Sequence, residues 1–242
     1  MVQIQAVLSV IFASLYLFLA NASGPDPAQD FCIPTNTSYM TSHFHLLPCK
    51  PSTQVGPEDF VFSGIKSPRN FSDMGFAGIS VTPVQFPGLS TLGMSFARAD
   101  LKEGGVNVPH FRPRATETAY VVKGTVYSGF VDSTNRVFAK VIEAGEVMVY
   151  PRGLVHFQMN VGESPATIIG SFNGQNPEIQ RIPNALFGAG VSDQLLEKAF
   201  GLTPREAEGG AQITGGSFAA PLEGRALGVG FSAAISGAWH HL

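Results

Sequence analysis

Short apolar runs separated by turn residues recur along the middle of the chain, between Ile79 and Phe172. Clusters of glycine, proline and asparagine divide them, and none has a convincing helical period. In chain order they read STLGMSFARADL, ETAYVVKG, TVYSGFV, RVFAKVIEAG, EVMVYPRG, LVHFQMNVG and ATIIGSFN. Many short strands at this spacing predict an antiparallel sandwich or barrel, so the expected fold class is all-β.

Local signals place the connections and the helices. Lys123-Gly124 joins two runs directly, which predicts a tight hairpin at that point. After Phe172 the pattern becomes helical. VSDQLLEKAF offers Ser192 as an N-cap, and a glycine follows its last residue. TPREAEGG begins with Thr203 as a second cap, followed by a proline and a capping-box glutamate, so two short C-terminal helices are expected.

The N-terminus is one unbroken apolar segment. No charged side chain precedes Asp26, and the segment ends in the small-x-small triplet Ala20-Asn21-Ala22. This pattern predicts a cleaved secretory signal over residues 1–22. The alternative is an uncleaved anchor, since the apolar run approaches membrane-spanning length. After cleavage, no membrane association is expected.

Composition narrows the class of partner. Hydrophobic residues make up 44% of the chain and charged residues 14%, a globular balance with a well-filled core. The formal net charge is −3, and lysine and arginine form no block, which argues against a nucleic-acid partner. Glycine (27) and proline (17) are abundant, which favours short strands and tight turns over long helices.

Cysteines and sequons fit a secreted chain. The only two cysteines are Cys32 and Cys49, which would form one disulfide in an oxidising compartment. The alternative is two unpaired buried thiols. Asn36-Thr37-Ser38 and Asn70-Phe71-Ser72 match the N-glycosylation pattern, so Asn36 and Asn70 are candidate glycan acceptors.

Three residues could meet inside a barrel. His110 lies on one run, Glu117 begins the next, and His156 shares a strand face with Gln158 and Asn160 by the two-residue period. Two imidazoles and one carboxylate suit Mn, Fe or Zn. The alternative is that each is an isolated polar residue satisfied by its own neighbours, and spacing alone favours that alternative.

A family resemblance changes this balance. The segments GGVNVPHFRPRATE and EAGEVMVYPRGLVHFQMNVG resemble the two motifs of the germin-like proteins, within the cupin superfamily. PDPAQDFC is similar to the family's mature N-terminus, SFNGQNPEIQ also fits, and Cys32 and Cys49 match its single disulfide. The resemblance implies a cupin jelly-roll β-barrel with short C-terminal helices. It also implies secretion to the plant cell wall or apoplast and a hexameric homo-oligomer.

The resemblance also implies a Mn(II) site with three histidines and one glutamate. His110, Glu117 and His156 fall on the first histidine, the glutamate and the third histidine, whereas Arg112 falls on the second histidine. Arginine stays protonated and has no lone pair, so it cannot bind a cation. We therefore expect weakened metal binding, with Arg112 paired to Glu117 in place of the metal. The alternative is that Arg112 turns away and leaves a weakened three-ligand site with an extra water.

The chain also departs from the family at the substrate-binding positions. Oxalate-oxidising germins place oxalate with two asparagines. Asn107 matches one, but Ala97 stands at the other position and offers no donor. Two functions follow as hypotheses. One is a Mn-dependent oxidoreductase of the superoxide dismutase type or, less in keeping with these residues, an oxalate oxidase. The other is a non-catalytic oligomer that binds wall polysaccharide or a small anion.

The expected organisation has five parts. A signal peptide occupies 1–22 and an N-terminal extension with the disulfide occupies 23–75. The cupin β-barrel occupies 76–182, the C-terminal helices 183–215, and a tail expected to be disordered 216–242.

Overall fold

A computed structural model describes residues 29–35 and 48–215 of the chain. Signal peptide 1–22, the sequon at Asn36 and tail 216–242 lie outside the described residues. Within them, no helix has both the length and the hydropathy needed to cross a bilayer.

The described chain consists of ten strands followed by three helices. The strands are β1 Phe76–Val81, β2 Ser95–Leu101, β3 Val106–Phe111, β4 Glu117–Lys123, β5 Thr125–Val131, β6 Val137–Glu143, β7 Val147–Tyr150, β8 His156–Asn160, β9 Ala166–Phe172 and β10 Gln180–Arg181. The helices are α1 Ile182–Phe187, α2 Asp193–Phe200 and α3 Pro204–Gly215. Short 3₁₀ turns cover Ser52–Gln54, Pro57–Phe60 and Pro87–Leu89.

The strands form two five-stranded antiparallel sheets. The first has the order β1-β2-β9-β4-β7 and the second the order β10-β3-β8-β5-β6. Alternate side chains are buried, as in β9, where every second residue from Ala166 to Phe172 is buried. The all-β jelly-roll fold predicted from the sequence is confirmed.

The predicted hairpin at Lys123-Gly124 is wrong. β4 pairs with β7 and β9, whereas β5 pairs with β6 and β8, so the chain crosses from one sheet to the other at this turn. Gly124 has φ +90°, and a Cβ there would lie 2.6 Å from the Cβ of Ala166. The glycine therefore permits a tight sheet-to-sheet corner where the sequence suggested a strand reversal.

The main apolar cluster lies between the sheets. Its buried members are Leu101, Ala119, Val121, Val126, Ile142, Tyr150, Ala166 and Ile168. They come from six strands, namely β2, β4, β7 and β9 of the first sheet and β5 and β6 of the second, so burial of this cluster joins the two sheets. Burying each large aliphatic side chain stabilises the fold by about 1.5–3 kcal/mol.

Both predicted C-terminal helices are present. α2 begins after Ser192 and ends at Gly201, which has the left-handed φ of 68°. At the start of α3, the carboxylate of Glu206 accepts hydrogen bonds from the Thr203 backbone N–H and hydroxyl. α1, whose proline stands in its first turn, was not predicted as a separate helix.

The disulfide between Cys32 and Cys49 is present. Backbone hydrogen bonds flank it on both sides, from Thr35 N to Pro48 O and from Lys50 N to Ile33 O. The bridge and these bonds hold residues 29–35 beside the segment that leads into the barrel.

Candidate metal centre

Three buried side chains converge between the sheets. His110 lies on β3, Glu117 at the start of β4 and His156 at the start of β8, and their candidate ligand atoms all lie within 4.8 Å of one another. His110 and His156 occupy opposite positions of the β3–β8 ladder. The antiparallel pairing of these strands therefore brings two distant sequence positions together.

A bulge in β3 gives this strand its inward side chains. Asn107 pairs with Gln158, but His110 pairs with His156, so β3 holds one extra residue between the two pairs. Pro109 lies in this interval and has no N–H to donate to the ladder. Because of the bulge, Asn107 and His110 are both buried although strict alternation would place them on opposite faces.

The same local contact orients both imidazoles. Nδ1 of His110 lies 2.8 Å from the Val108 carbonyl, and Nδ1 of His156 lies 2.9 Å from the Leu154 carbonyl. A carbonyl only accepts, so each Nδ1 carries a hydrogen, and in the neutral form of each ring the lone pair lies on Nε2. Each ring is thus held by the carbonyl two residues earlier in the chain.

Neither Nε2 atom has a hydrogen-bond partner among the described residues, and both are buried. Nε2 of His156 lies 3.4 Å from Oε2 of Glu117, within ion-pair distance but without hydrogen-bond geometry. The ring centroids of the two histidines are 4.2 Å apart. Two inward lone pairs beside a carboxylate are a donor set that could bind a metal ion.

Arg112 lies inside this cluster. It is 8% exposed, and its Nε donates to Oε2 of Glu117 at 3.0 Å. Its Nη1 donates to the carbonyl of Glu178 at 2.9 Å, and its Cζ lies 4.5 Å from the ring centroid of Phe172. A buried guanidinium is therefore neutralised by the carboxylate that would otherwise face a cation.

The electrostatics follow from this burial. Desolvation lowers the pKa of His110 to about 3, and the neighbouring His156 and Arg112 act in the same direction. Burial alone would raise the pKa of Glu117, but its contacts with His156 and Arg112 outweigh that effect, so the pKa is lowered from its usual range. The cluster at neutral pH therefore contains a neutral His110, an ionised Glu117 and a charged Arg112.

A glycine makes room for the carboxylate. A Cβ at Gly170 of β9 would lie 3.1 Å from Oε1 of Glu117. That distance is tighter than ordinary van der Waals contact, so a side chain here would press on the carboxylate.

Tyr150 supports the cluster from behind. Its ring stacks on His156 with centroids 4.4 Å apart and an angle of 9° between the planes. Burial raises the pKa of its hydroxyl to about 12, so it stays protonated and can donate a hydrogen bond. The sequence pattern does not single out this residue, whose one signal is an aromatic ring in the otherwise aliphatic strand β7.

The sequence-predicted residues are only partly gathered here. His110, Arg112, Glu117 and Asn107 are buried around one site, together with His156. Asn70 is exposed and lies on the lining of the adjoining cavity, away from the imidazoles. Glu178 and Phe172, which contact Arg112, carry no sequence signal for that role because their contact depends on the return of the chain after β9.

Comparison with known proteins agrees with the fold. The family described as Cupin matches residues 63–208. Germin-like protein subfamily 3 member 2 of Arabidopsis thaliana is 61% identical over 188 residues, covering 76% of this chain and 83% of the relative. Germin-like protein 2-4 of Oryza sativa subsp. japonica is 55% identical over 204 residues, covering 82% of this chain and 89% of the relative.

Solved structures of oxalate oxidase share the architecture. One aligns with TM-score 0.74 and 38% identity over 81% of this chain and 100% of its own. Another, in complex with the substrate analogue glycolate, aligns with TM-score 0.73 and 36% identity over 81% of this chain and 100% of its own.

Proposed function

The chain belongs to the germin-like proteins of the cupin family, and from this premise we propose that it is a secreted plant cell-wall protein with a weakened Mn(II) site. In this proposal Arg112 occupies the position of one histidine ligand. The observation that carries it is the contact of 3.0 Å between Arg112 Nε and Glu117 Oε2 within the histidine pair. A cation would have to displace this guanidinium to bind Oε2, the carboxylate oxygen that also faces His156.

Charge explains why the metal would bind weakly. Arginine supplies donors only, so the site has three ligand groups instead of the family's four. The guanidinium also repels a divalent cation at short range in a poorly solvated interior. Moving Arg112 away would break its bonds to Glu117 and to the Glu178 carbonyl and would leave a buried charge without its partner.

Metal content tests this proposal directly. The wild type, Arg112→His and Arg114→His would be purified from a secretory host with Mn supplied, and Mn per chain measured by mass spectrometry. Arg114 lies two residues away on the surface, where it pairs with Glu178, so its replacement controls for adding a histidine. We expect well under one Mn in the wild type and control, and about one in Arg112→His. Stoichiometric Mn in the wild type would overturn the proposal.

An active Mn-dependent oxidoreductase is the second candidate. It is favoured by the two buried Nε2 lone pairs, which have no partner in the described part of the chain. His110, Glu117 and His156 would hold the ion, which would supply a redox centre with open coordination positions. Chelator-sensitive superoxide dismutation by a fully loaded wild type would support this candidate over the first.

Oxalate oxidation has less support than dismutation. Ala97 offers no donor to a carboxylate, and the amide of Asn107 already donates to Gln158 Oε1 at 2.7 Å. We expect no peroxide from oxalate with the wild-type protein, and sustained production would contradict this.

A non-catalytic, oligomeric wall protein is compatible with the first proposal. Its support is an apolar strip on the outer face of β4 and β7, where Tyr120, Val122, Val147 and Val149 are 45–58% exposed. We propose that this strip packs against a second copy in a homo-oligomer. Light scattering coupled to size exclusion would measure the assembly, and a monomer at micromolar concentration would contradict it.

Secretion and glycosylation complete the proposal. Signal segment 1–22 and the sequons at Asn36 and Asn70 support an apoplastic location, as does the Cys32–Cys49 disulfide. Intact mass of the secreted protein before and after glycosidase treatment would report both cleavage and occupancy.

A further inference from the structure

A cavity of about 700 Å³ opens at one side of the sandwich. Its lining residues come from β1 and β2 of the first sheet and from β10 of the second, and β1 and β10 are edge strands of their sheets. The buried side chains of Arg112 and Glu117 lie on its wall. The exposed lining residues are Arg69, Asn70, Gly78 and Ser80. The cavity therefore connects the buried cluster with solvent, and the exposed residues mark its mouth.

One end of a short segment at this mouth is fixed to the barrel by Arg98. This segment, residues 66–72, is called the strap. Nη1 of Arg98 donates to the carbonyls of Ile65 and Lys66 at 2.9 and 3.0 Å. The guanidinium is itself held by Asp100, whose carboxylate accepts from Nε and Nη2 at 2.7 and 2.8 Å. Ile65 also packs against an apolar cluster that includes β1 side chains, so the strap leaves the barrel at a fixed point.

The other end of the strap is fixed as well. Nζ of Lys102 lies 5.1 Å from the ring centroid of Phe71, which is a cation–π contact. The backbone N–H of Ser72 donates to the carbonyl of Phe76 at 2.9 Å, where β1 begins. Both ends of the strap are thus tied to the barrel, and the residues between them stay at the mouth of the cavity.

Asn70 is the sequon asparagine of the strap. It precedes Phe71 and Ser72 in the acceptor triplet, and it is exposed whereas those two residues are half-buried. In glycosylation, the bond from Nδ2 to C1 of an oligosaccharide forms as the bond from C1 to its lipid diphosphate carrier breaks, and Nδ2 loses one proton. Because Asn70 lines the cavity, this bulky and hydrophilic group would stand where the cavity meets solvent.

We propose that Asn70 carries an N-glycan that covers the mouth of the cavity and screens the buried cluster from large molecules. This inference rests on the proposed function in one respect, that the chain is secreted and so meets the glycosylation machinery. Because a glycan is bulky but hydrated, metal ions and small solutes pass it, whereas a polysaccharide chain or a protein loop does not reach His110 or His156. Wall polymers would then contact only the outside of the barrel.

A thiol inside the cavity would report access to it. Ala97 is half-buried and lines the cavity. Both cysteines of the sequence are bridged, so Ala97→Cys introduces a single free thiol. Its labelling by N-ethylmaleimide and by a maleimide that carries a long polyethylene glycol chain would be followed by mass spectrometry. Ala99→Cys, at a second half-buried lining position, repeats the measurement if Ala97→Cys does not fold.

Removal of the glycan should open the cavity to the large reagent. In the Ala97→Cys background, we expect Asn70→Gln to speed labelling by the polyethylene glycol reagent at least about tenfold and labelling by N-ethylmaleimide less than about twofold, since a surface glycan hinders by its bulk. Asn36→Gln, which removes the other sequon, is the matched control and should change neither rate. Trimming the glycan from the folded protein with an endoglycosidase should reproduce the effect of Asn70→Gln without a substitution.

Three results would overturn the proposal. The first is an unmodified Asn70 in the mass spectrum of the secreted protein. The second is equal labelling by the large reagent with and without the Asn70 glycan, which includes failure of that reagent to label either protein. The third is an equal acceleration by Asn36→Gln, which would mean that the screen does not depend on the strap.

The two proposals fail separately. Labelling involves no metal, so the Mn content of the wild type remains the independent test of the weakened metal site. A signal peptide that is cleaved while Asn70 stays unmodified would overturn the glycan screen and leave secretion in place.

Discussion

The middle strands of the two sheets bury opposite kinds of side chain. β9, at the centre of the first sheet, buries Ala166, Ile168, Gly170 and Phe172. β8, at the centre of the second, buries His156, Gln158 and Asn160, which are all polar. The two strands have the same alternation and equally low exposure, so burial alone does not distinguish packing from chemistry.

The difference lies in how each polar side chain on β8 is satisfied. Nδ2 of Asn160 donates to the carbonyls of Leu101, Lys102 and Ser164, and its Oδ1 accepts from Gly162 N–H, so this residue ties loops to the barrel. Oε1 of Gln158 accepts from Nδ2 of Asn107 at 2.7 Å. Nε2 of His156 has no hydrogen-bond partner in the described structure. Along this strand the side chains change from structural to functional toward the cluster.

Removing a charge from the polar cluster around His156 should give the largest loss of stability. Glu117→Gln leaves the buried Arg112 guanidinium without its counter-ion, and we expect the free energy of unfolding to fall by about 3–5 kcal/mol. Urea denaturation of the metal-free protein would measure it. The double variant Arg112→Met/Glu117→Leu removes both charges and should recover most of the loss. Wild-type stability in Glu117→Gln would mean that the Glu178 carbonyl and the Phe172 ring suffice for Arg112.

Acid should cause the second-largest loss of stability, through the buried His110 of the same cluster. The pKa of His110 is about 3 in the folded chain, against about 6.5 when unfolded, so the unfolded chain binds the extra proton first. The resulting stability is present above about pH 6.5 and declines as the pH falls toward 3. Between pH 7 and pH 5 we expect a loss of about 2 kcal/mol in the metal-free protein. His110→Gln is the control and should flatten this dependence; an equal slope in both would locate the effect elsewhere.

A substitution on the apolar strand β9 should give the smallest change in the free energy of unfolding. Ile168→Val removes one buried methylene, and we expect the free energy of unfolding to fall by about 0.5–1.5 kcal/mol with no dependence on pH or added metal. Val122→Ala, on a neighbouring strand but 47% exposed, is the matched control and should change stability by less than about 0.5 kcal/mol. A metal-dependent effect at Ile168 would show that the two sides of the interior are coupled.

The sequence pattern predicted where the strands lie better than it predicted which strands pair. Alternating runs located β2 and β4 to β9, since a half-buried strand leaves a local signature. The pairing at Gly124 was predicted incorrectly, because a hairpin and a sheet-to-sheet corner use the same residues and differ only in distant contacts. α1 was missed because Ile182–Phe187 is too short to establish a period.

The residues of the candidate site also fall into a group that the sequence predicted and a group that it did not. The resemblance pointed to His110, Glu117 and His156, which lie together in the structure, and the charged pair between Arg112 and Glu117 was expected from elementary chemistry. The buried contact of Asn107 with Gln158 could not be predicted. It depends on a bulge near Pro109 that the sequence pattern does not reveal.

Each of the two histidines contacts the carbonyl two residues before it. The orientation of each ring is therefore set within a segment of three residues. The segments Val108–His110 and Leu154–His156 carry their own tautomer and need no distant residue to set it. Substitution at position 112, in evolution or by design, would therefore leave the local contacts that orient the two imidazoles in place. Under the proposed function, gain or loss of metal affinity would then need only one codon change, at position 112.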